Sequence, residues 1–367
     1  MKKTRILAIN PGSTTTKIAL YDDCDELFCT NIEHSAKDMK AFKDIWDQHD
    51  YRREMIEKTM AQRGFSMSDI DVFVGRGGGI HSVTSGIYEV TDLLVEHTKL
   101  GIIEPHPAKL TASICRLFAD LYGGRAFIVN PPDVDEFEDV ARVSGIKGIY
   151  RGSHLHALNQ KEIALRFCAE RGLEYENVNL VICHLGGGIS VTAHKKGRMV
   201  DSNDIIKGSG PMTPTRAGDL PYINVINMAY SGEYTKQELI DKLNKHGGLT
   251  DYFCTADIRD VYKMIDDGDK LAKIILDGMI YQNAKYAGAM AVALKGEVDA
   301  IILTGGISNS AYFTGKLKEY VGWIAEIVVM AGEFELEALT AGALRVVRGE
   351  EDAKIYSGKP IWSGFES

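Results

Sequence analysis

One local plan occurs twice along this chain, and it restricts the available folds more than any other feature. The apolar run Arg5–Asn10 stops on a polar residue and passes through Pro11-Gly12-Ser13-Thr14-Thr15, which is turn chemistry. A strand over Lys17–Tyr21 and another over Glu26–Ile32 follow. Asn179–His184 repeats the plan: an apolar run with a polar end, the loop Leu185-Gly186-Gly187-Gly188, an alternating strand Ile189–Ala193, a turn at Lys196-Gly197 and a return over Met199–Asp201. After the first copy the pattern predicts a helix over Met39–Gln62 and a strand Asp71–Val74 running into Gly75-Arg76-Gly77-Gly78-Gly79. A helix Pro107–Tyr122 and a strand Ala126–Val129 complete that half. After the second copy it predicts helices across 219–295, the longest over Lys270–Leu294. A strand Ala300–Leu303 then enters Thr304-Gly305-Gly306, and a helix from Asn309, a strand Glu326–Met330 and a helix Leu336–Val347 follow. Two such copies imply an internal duplication: two α/β lobes around a cleft, each presenting a glycine-rich hairpin to it.

A length of 367 residues suits two domains. We place the first over 1–150 with the C-terminal segment 345–367, and the second over 151–344. Forty-two basic residues against 51 acidic ones leave a net charge of −9, which argues against a nucleic-acid or membrane-surface binder. No stretch approaches the roughly 18 apolar residues of a membrane helix, and the run after Lys2, Lys3 and Arg5 is too short for a secretory leader. A cytoplasmic protein is the expectation. The six cysteines are scattered without a C-x-x-C pair, so they read as buried free thiols in a reducing compartment.

The glycines cluster where chemistry is expected. In Asn10-Pro11-Gly12-Ser13-Thr14, successive N–H groups and hydroxyls suit phosphate oxygens, or merely close a hairpin. Three consecutive glycines after His184 exceed what a tight turn needs, so close approach of backbone to a ligand explains them better. Leu303-Thr304-Gly305-Gly306-Ile307-Ser308-Asn309 runs from a strand through glycines into a helix, which suits a nucleotide lying against backbone. There is no G-x-x-x-x-G-K-[ST], and Ile80 breaks the G-x-G-x-x-G that begins at Gly75, so P-loop and dinucleotide folds are unsupported. Arg76 and Arg216 are long cations rooted among glycines, placed to grip a carboxylate or phosphate; Arg216 could instead pair with Asp219. His154 and His156 lack a third ligand for zinc. Glu333, Glu335 and Glu337 are either first-turn acids of a helix or carboxylates for Mg²⁺.

Together these segments resemble the acetate and butyrate kinase family, within the actin-like, Hsp70-like and sugar-kinase-like ATPases. The resemblance is carried by Ala8-Ile-Asn-Pro-Gly-Ser-Thr14, Gly75-Arg-Gly77, His156-Ala-Leu-Asn-Gln160, His184-Leu-Gly-Gly-Gly188, Thr215-Arg-Ala-Gly-Asp219, Ala256-Asp-Ile-Arg259 and Leu303-Thr-Gly-Gly-Ile307, and it runs along essentially the whole chain. Asp139-Val-Ala-Arg142 and His156-Ala-Leu-Asn-Gln160 side with the butyrate kinases. The resemblance implies a duplicated ribonuclease H-like, actin-like fold with two lobes around a nucleotide cleft. It implies ATP with Mg²⁺, a short-chain carboxylate such as butanoate as phosphoryl acceptor, and an acyl phosphate as product. Isobutyrate, propionate or acetate are alternative acceptors, and an ATPase without an acyl acceptor is a more distant one. A homodimer or higher homo-oligomer is also implied. Asn10, Arg76, His156 and Arg216 would carry the transfer. Gly12, Ser13, Thr14, His184, Gly186, Gly187 and Gly188 would hold phosphates, with Asp257, Ile258, Arg259, Gly305, Gly306, Ile307 and Asn309 around the nucleoside. Gly77, Gly78, Leu155 and Pro214 would line the acyl pocket, and Glu335 matches the family's magnesium glutamate, with Glu333 and Glu337 as rivals. The family's aspartate after the strand Ala126–Val129 is replaced by Asn130, with Asp133 and Asp135 as substitutes. The glycines after Arg76 are expected to widen the pocket for a four-carbon acid, each added methylene being worth about 0.8 kcal/mol when buried.

Overall fold

A computed structural model of the chain describes residues 3–100 and 107–365. They form two compact units, one of Met1–Asp135, Ala157–Glu162 and Phe334–Ser367, the other of Glu136–His156 and Ile163–Glu333. The expected breaks lay at 150/151 and 344/345. The helix Glu335–Val347 keeps its whole length with the first unit, because Leu336, Leu339 and Ala343 are buried in that unit's core.

Among its described residues the first unit holds six strands: β1 (Arg5–Pro11), β2 (Thr15–Asp22), β3 (Asp25–Glu33), β4 (Val72–Gly75), β5 (Ile87–Glu89) and β6 (Arg125–Val129), in the order β3-β2-β1-β4-β6-β5. The second holds β7 (Asn179–Leu185), β8 (Ile189–Lys195), β9 (Arg198–Ser202), β10 (Ala300–Gly305) and β11 (Glu326–Ala331), in the order β11-β10-β7-β8-β9. Reading β7, β8, β9, β10 and β11 for β1, β2, β3, β4 and β6 maps one order onto the other. The directions agree as well: β1 is antiparallel to β2 and parallel to β4, as β7 is to β8 and β10. The duplication expected from the sequence is therefore present in topology, with β5 as an added edge strand. Periodicity did not reveal β5, which is only three residues long and pairs antiparallel to β6.

Strands at the sheet centres are largely apolar, as burial on both faces favours; all seven residues of β7 and all six of β10 are buried, including the polar Asn179, His184 and Thr304. The 24-residue helix Lys270–Ala293 covers the second sheet with Ala272, Leu276, Met279, Ile280 and Ala287. The helix expected over 39–62 is two helices, Ala36–Ala41 and His49–Gln62, with a break at Phe42, whose backbone is extended. Three of the six cysteines are buried and three exposed, so the expectation of buried thiols holds for Cys115, Cys168 and Cys183 only. Among the described residues no helix is long and apolar enough to cross a membrane.

Candidate functional site

In the first unit the site residues gather at the ends of two neighbouring parallel strands. The β1–β4 register pairs Ile9 with Gly75, so the next residues, Asn10 and Arg76, emerge side by side where ligands collect in α/β sheets. The helix Glu335–Val347 begins there. The Asn10 side-chain amide donates to Glu335 Oε2, and Arg76 Nη1 lies 3.5 Å from Glu335 Oε1. The three acids near residue 335 separate: Glu335 faces Asn10 and Arg76, Glu337 lies near Tyr21 and adds to the burial that raises that phenol's pKa, and Glu333 belongs to the other unit. Only Glu335 thus joins the predicted phosphate loop. Among the described residues no cluster of three or more His, Cys, Asp or Glu could hold a metal. One carboxylate beside an amide nevertheless fits Mg²⁺, which takes one or two protein carboxylates and fills its octahedron with water and phosphate oxygens.

The glycines after Arg76 serve a different purpose from the one expected. Gly77, Gly78 and Gly79 have φ of +65°, +126° and +80°, which side chains rarely adopt. Their Cβ positions are also taken: an added Cβ would lie 2.8 Å from Ile128 at Gly77, 3.3 Å from Pro132 at Gly78 and 2.6 Å from Lys109 at Gly79. These glycines permit a tight fold under neighbouring side chains; they do not leave room for added methylenes. Asn130 and Asp133 hold the surrounding backbone. Asn130 Oδ1 accepts the Gly86 N–H at 2.7 Å, and buried Asp133 accepts the Gly79 N–H at 3.1 Å. Asp135 is also buried.

In the second unit the β7–β8 hairpin turns at Gly186–Gly188, between Leu185 and its partner Ile189. Thr213 Oγ1 and Thr215 Oγ1 both donate to Gly187 O, at 2.8 and 3.0 Å, and Thr213 Oγ1 also accepts the Arg216 N–H at 3.0 Å. This lays Arg216 beneath Gly188 so closely that a Cβ there would overlap the guanidinium. Arg216 Nη1 is buried with no hydrogen-bond partner among the described residues. Burial pulls the Arg216 pKa down, opposed by Asp204. A buried cation with an unpaired donor is costly unless an anion meets it, so this geometry suits a phosphate or carboxylate oxygen. Asp219, the alternative partner, is occupied elsewhere: it accepts the Gly210 N–H and the Tyr286 hydroxyl. His156 stacks on His184, with ring centroids 4.0 Å apart, and His156 Nδ1 is 2.8 Å from Ser190 Oγ.

A cavity of about 740 Å³ opens beside the glycine hairpin. Gly186, Gly187, Asp257, Ile258, Arg259, Gly306, Ile307 and Asn309 line it, all expected around phosphates or nucleoside. Glu333 lines it too, as does Pro214, which had been expected in the acyl pocket. Leu155, expected in the same acyl pocket, is fully buried. Gly305 sits behind the wall: its φ is +87°, its N–H donates to Gly332 O at 3.0 Å, and a Cβ would strike the end of β7. Gly306 has open space around it. Asp257 caps the helix Ile258–Asp266, and the Arg259 guanidinium together with that cap bond holds its carboxyl down to about 2. The sequence reading missed Tyr262 and Ser310, which also line the cavity. Tyr262 lies four residues after Ile258 on the same helix face, a spacing that could have found it.

The sheet order and the hairpin sites define an actin-like ATPase fold. The acetate kinase of Porphyromonas gingivalis shares it with a TM-score of 0.77 at 18% identity, over 93% of this chain and 99% of that one. The acetokinase family model matches residues 149–322. A probable butyrate kinase of Clostridium botulinum is 42% identical over 96% of this chain and 99% of its own length. Butyrate kinase 2 of Clostridium acetobutylicum is 40% identical over the same shares. The chain belongs to the acetokinase family.

Proposed function

We propose that this protein is a short-chain fatty-acid kinase that converts ATP and butanoate to ADP and butanoyl phosphate, reversibly. The observation that carries the chemistry is the Arg216 guanidinium, buried under Gly188 with an unpaired donor. The choice of butanoate rests on the relatives named above.

A carboxylate is ionised at neutral pH and needs no general base. One of its oxygens attacks the γ-phosphorus of ATP in line, the bond from that phosphorus to the β–γ bridging oxygen breaks, and ADP leaves with the electron pair. What the protein supplies is positioning and charge neutralisation. Arg76 and Arg216 hold the carboxylate and the equatorial oxygens. The Gly12–Thr14 loop and the His156–His184 pair donate to the phosphoryl group, and the 740 Å³ cavity takes the nucleoside. Glu335, beside Asn10, would hold Mg²⁺, which supplies charge neutralisation to the phosphates. We also propose a cytoplasmic location, in the compartment that supplies its ATP. We assign it at least a homodimer; the helix Tyr222–Ala229, none of whose residues is buried, supports this, and sedimentation velocity tests it.

Hydroxamate trapping of acyl phosphate, with MgATP and acids from acetate to hexanoate plus isobutyrate, tests the proposal. The expected profile peaks at butanoate. A peak at another acid moves the substrate within the class. ATP turnover without acyl phosphate from any acid refutes the kinase reading.

A further inference from the structure

Arg52 is completely buried in the first unit, on the helix His49–Gln62, with no carboxylate among its acceptors. Its five N–H donors find five acceptors. Nε donates to Gln48 Oε1 at 3.0 Å, and Nη1 to Thr15 O at 3.1 Å and Thr16 Oγ1 at 2.9 Å. Nη2 reaches Ser13 O at 3.2 Å and Met39 Sδ at 3.9 Å. Two of these are backbone carbonyls of the β1–β2 hairpin. A third carbonyl of that hairpin, Thr14 O, accepts the His34 N–H at 2.9 Å, and His34 Nε2 is 2.8 Å from Thr16 Oγ1.

The consequence is a loop with two chemically different faces. The carbonyls of residues 13, 14 and 15 are drawn into the protein. The side chains of Ser13 and Thr14 are exposed, and among the described residues no hydrogen bond engages their hydroxyls or N–H groups. A loop that turned its carbonyls outward would repel a phosphate, whereas one that turns N–H and hydroxyl groups outward attracts it. Burying an arginine is costly, and burial pulls its pKa down to about 10. A neutral residue could fill the same space, but it could not collect these carbonyls from below.

Gly12 closes the turn, its N–H donating to Thr15 O at 2.8 Å. We propose that Arg52 is the positioning residue of the Gly12–Thr14 loop, holding its carbonyls inward so that the N–H and hydroxyl groups of Ser13 and Thr14 face the transferring phosphoryl group. This rests on the kinase reading above. Arg52 itself touches no substrate; it acts through the loop, and its positive charge directly below adds to the loop's attraction for anions.

Arg52→Met and Arg52→Lys in the full chain test this by two readouts. The first is hydrogen–deuterium exchange of the peptide spanning 11–17, without ligand. The second is kcat and KM for ATP and butanoate, normalised to folded protein. For Arg52→Met we expect exchange of that peptide to rise roughly tenfold or more, with β4 and β6 peptides unchanged. We expect kcat to fall about a hundredfold, the cost of misplacing a contact by about 1 Å, with both KM values within about threefold. Arg52→Lys, which keeps the charge but fewer donors, should recover part of kcat. Unchanged loop exchange, or kcat per folded molecule within about threefold of the parent, overturns the proposal. If Arg52→Met does not fold, Arg52→Lys is judged by the same two limits. If the parent forms no acyl phosphate, the kinase reading fails and loop exchange alone decides the role of Arg52.

Discussion

Replacing Gly188 by alanine probes the point where backbone and cation meet. Gly188 does not have a positive φ, so its backbone accepts alanine. The added Cβ falls well inside contact distance of Arg216 Nη1 and 3.2 Å from its Cζ. Non-bonded heavy atoms settle about 3.5–4.0 Å apart, so the guanidinium must retreat by roughly 1 Å. A misplacement of that size costs about a hundredfold in rate, or about 2.7 kcal/mol of transition-state stabilisation. The moving group is the end of a flexible side chain, so thermal stability should change little. The hydroxamate assay with butanoate and MgATP should therefore show a collapse in kcat at nearly constant Tm. Gly187→Ala is the matched comparison: its Cβ meets open space, so it should leave kcat alone and raise KM for ATP where the nucleotide lies against the hairpin. A Gly188→Ala enzyme with kcat within about threefold of the parent would refute the role given to Arg216.

Other outcomes follow from the same geometry. Thr213→Val removes the bond to Gly187 O and the acceptor for the Arg216 N–H, and should cost about 1–3 kcal/mol in urea unfolding together with a fall in kcat. Gly77→Ala must push Ile128 aside at a φ of +65°, and should destabilise by about 1–3 kcal/mol without shifting the preference among acids. Burial and the neighbouring Arg52, opposed by Asp38, hold His34 down to about 4, with the Tyr51 ring packed edge-on. The unfolded histidine titrates near 6.5, so between those values the unfolded chain binds a proton that the folded protein refuses. Stability should rise with pH across that window and fall by about 3 kcal/mol on acidification from 6.5 to 4, and urea titrations of His34→Gln should flatten this dependence. Glu335→Gln should raise the Mg²⁺ concentration for half-maximal rate roughly tenfold or more in a metal titration at fixed ATP.

The duplicated strand plan was legible because it is local. Alternation, apolar runs and glycines at turns are properties of adjacent residues, and the two hairpins appear where those signals placed them. The segments proposed to hold the nucleoside were legible for the same reason: Asp257 caps its helix and Gly306 follows its strand whatever packs around them. Roles that depend on distant partners were not. Nothing around Arg52 distinguishes it from Arg53, yet one is fully buried and the other pairs with acids at the surface, because three of the acceptors for Arg52, two of them carbonyls, lie on a hairpin some 40 residues earlier. Glu333, Glu335 and Glu337 look equivalent in order, but the start of a helix and the edge of a compact unit send them to three surroundings. The glycines after Arg76 read as space; Ile128, Pro132 and Lys109, brought in from later elements, fill it. Backbone periodicity and turn chemistry are written in consecutive residues, whereas burial, close approach and the choice of hydrogen-bond partner arise only when separate segments pack together.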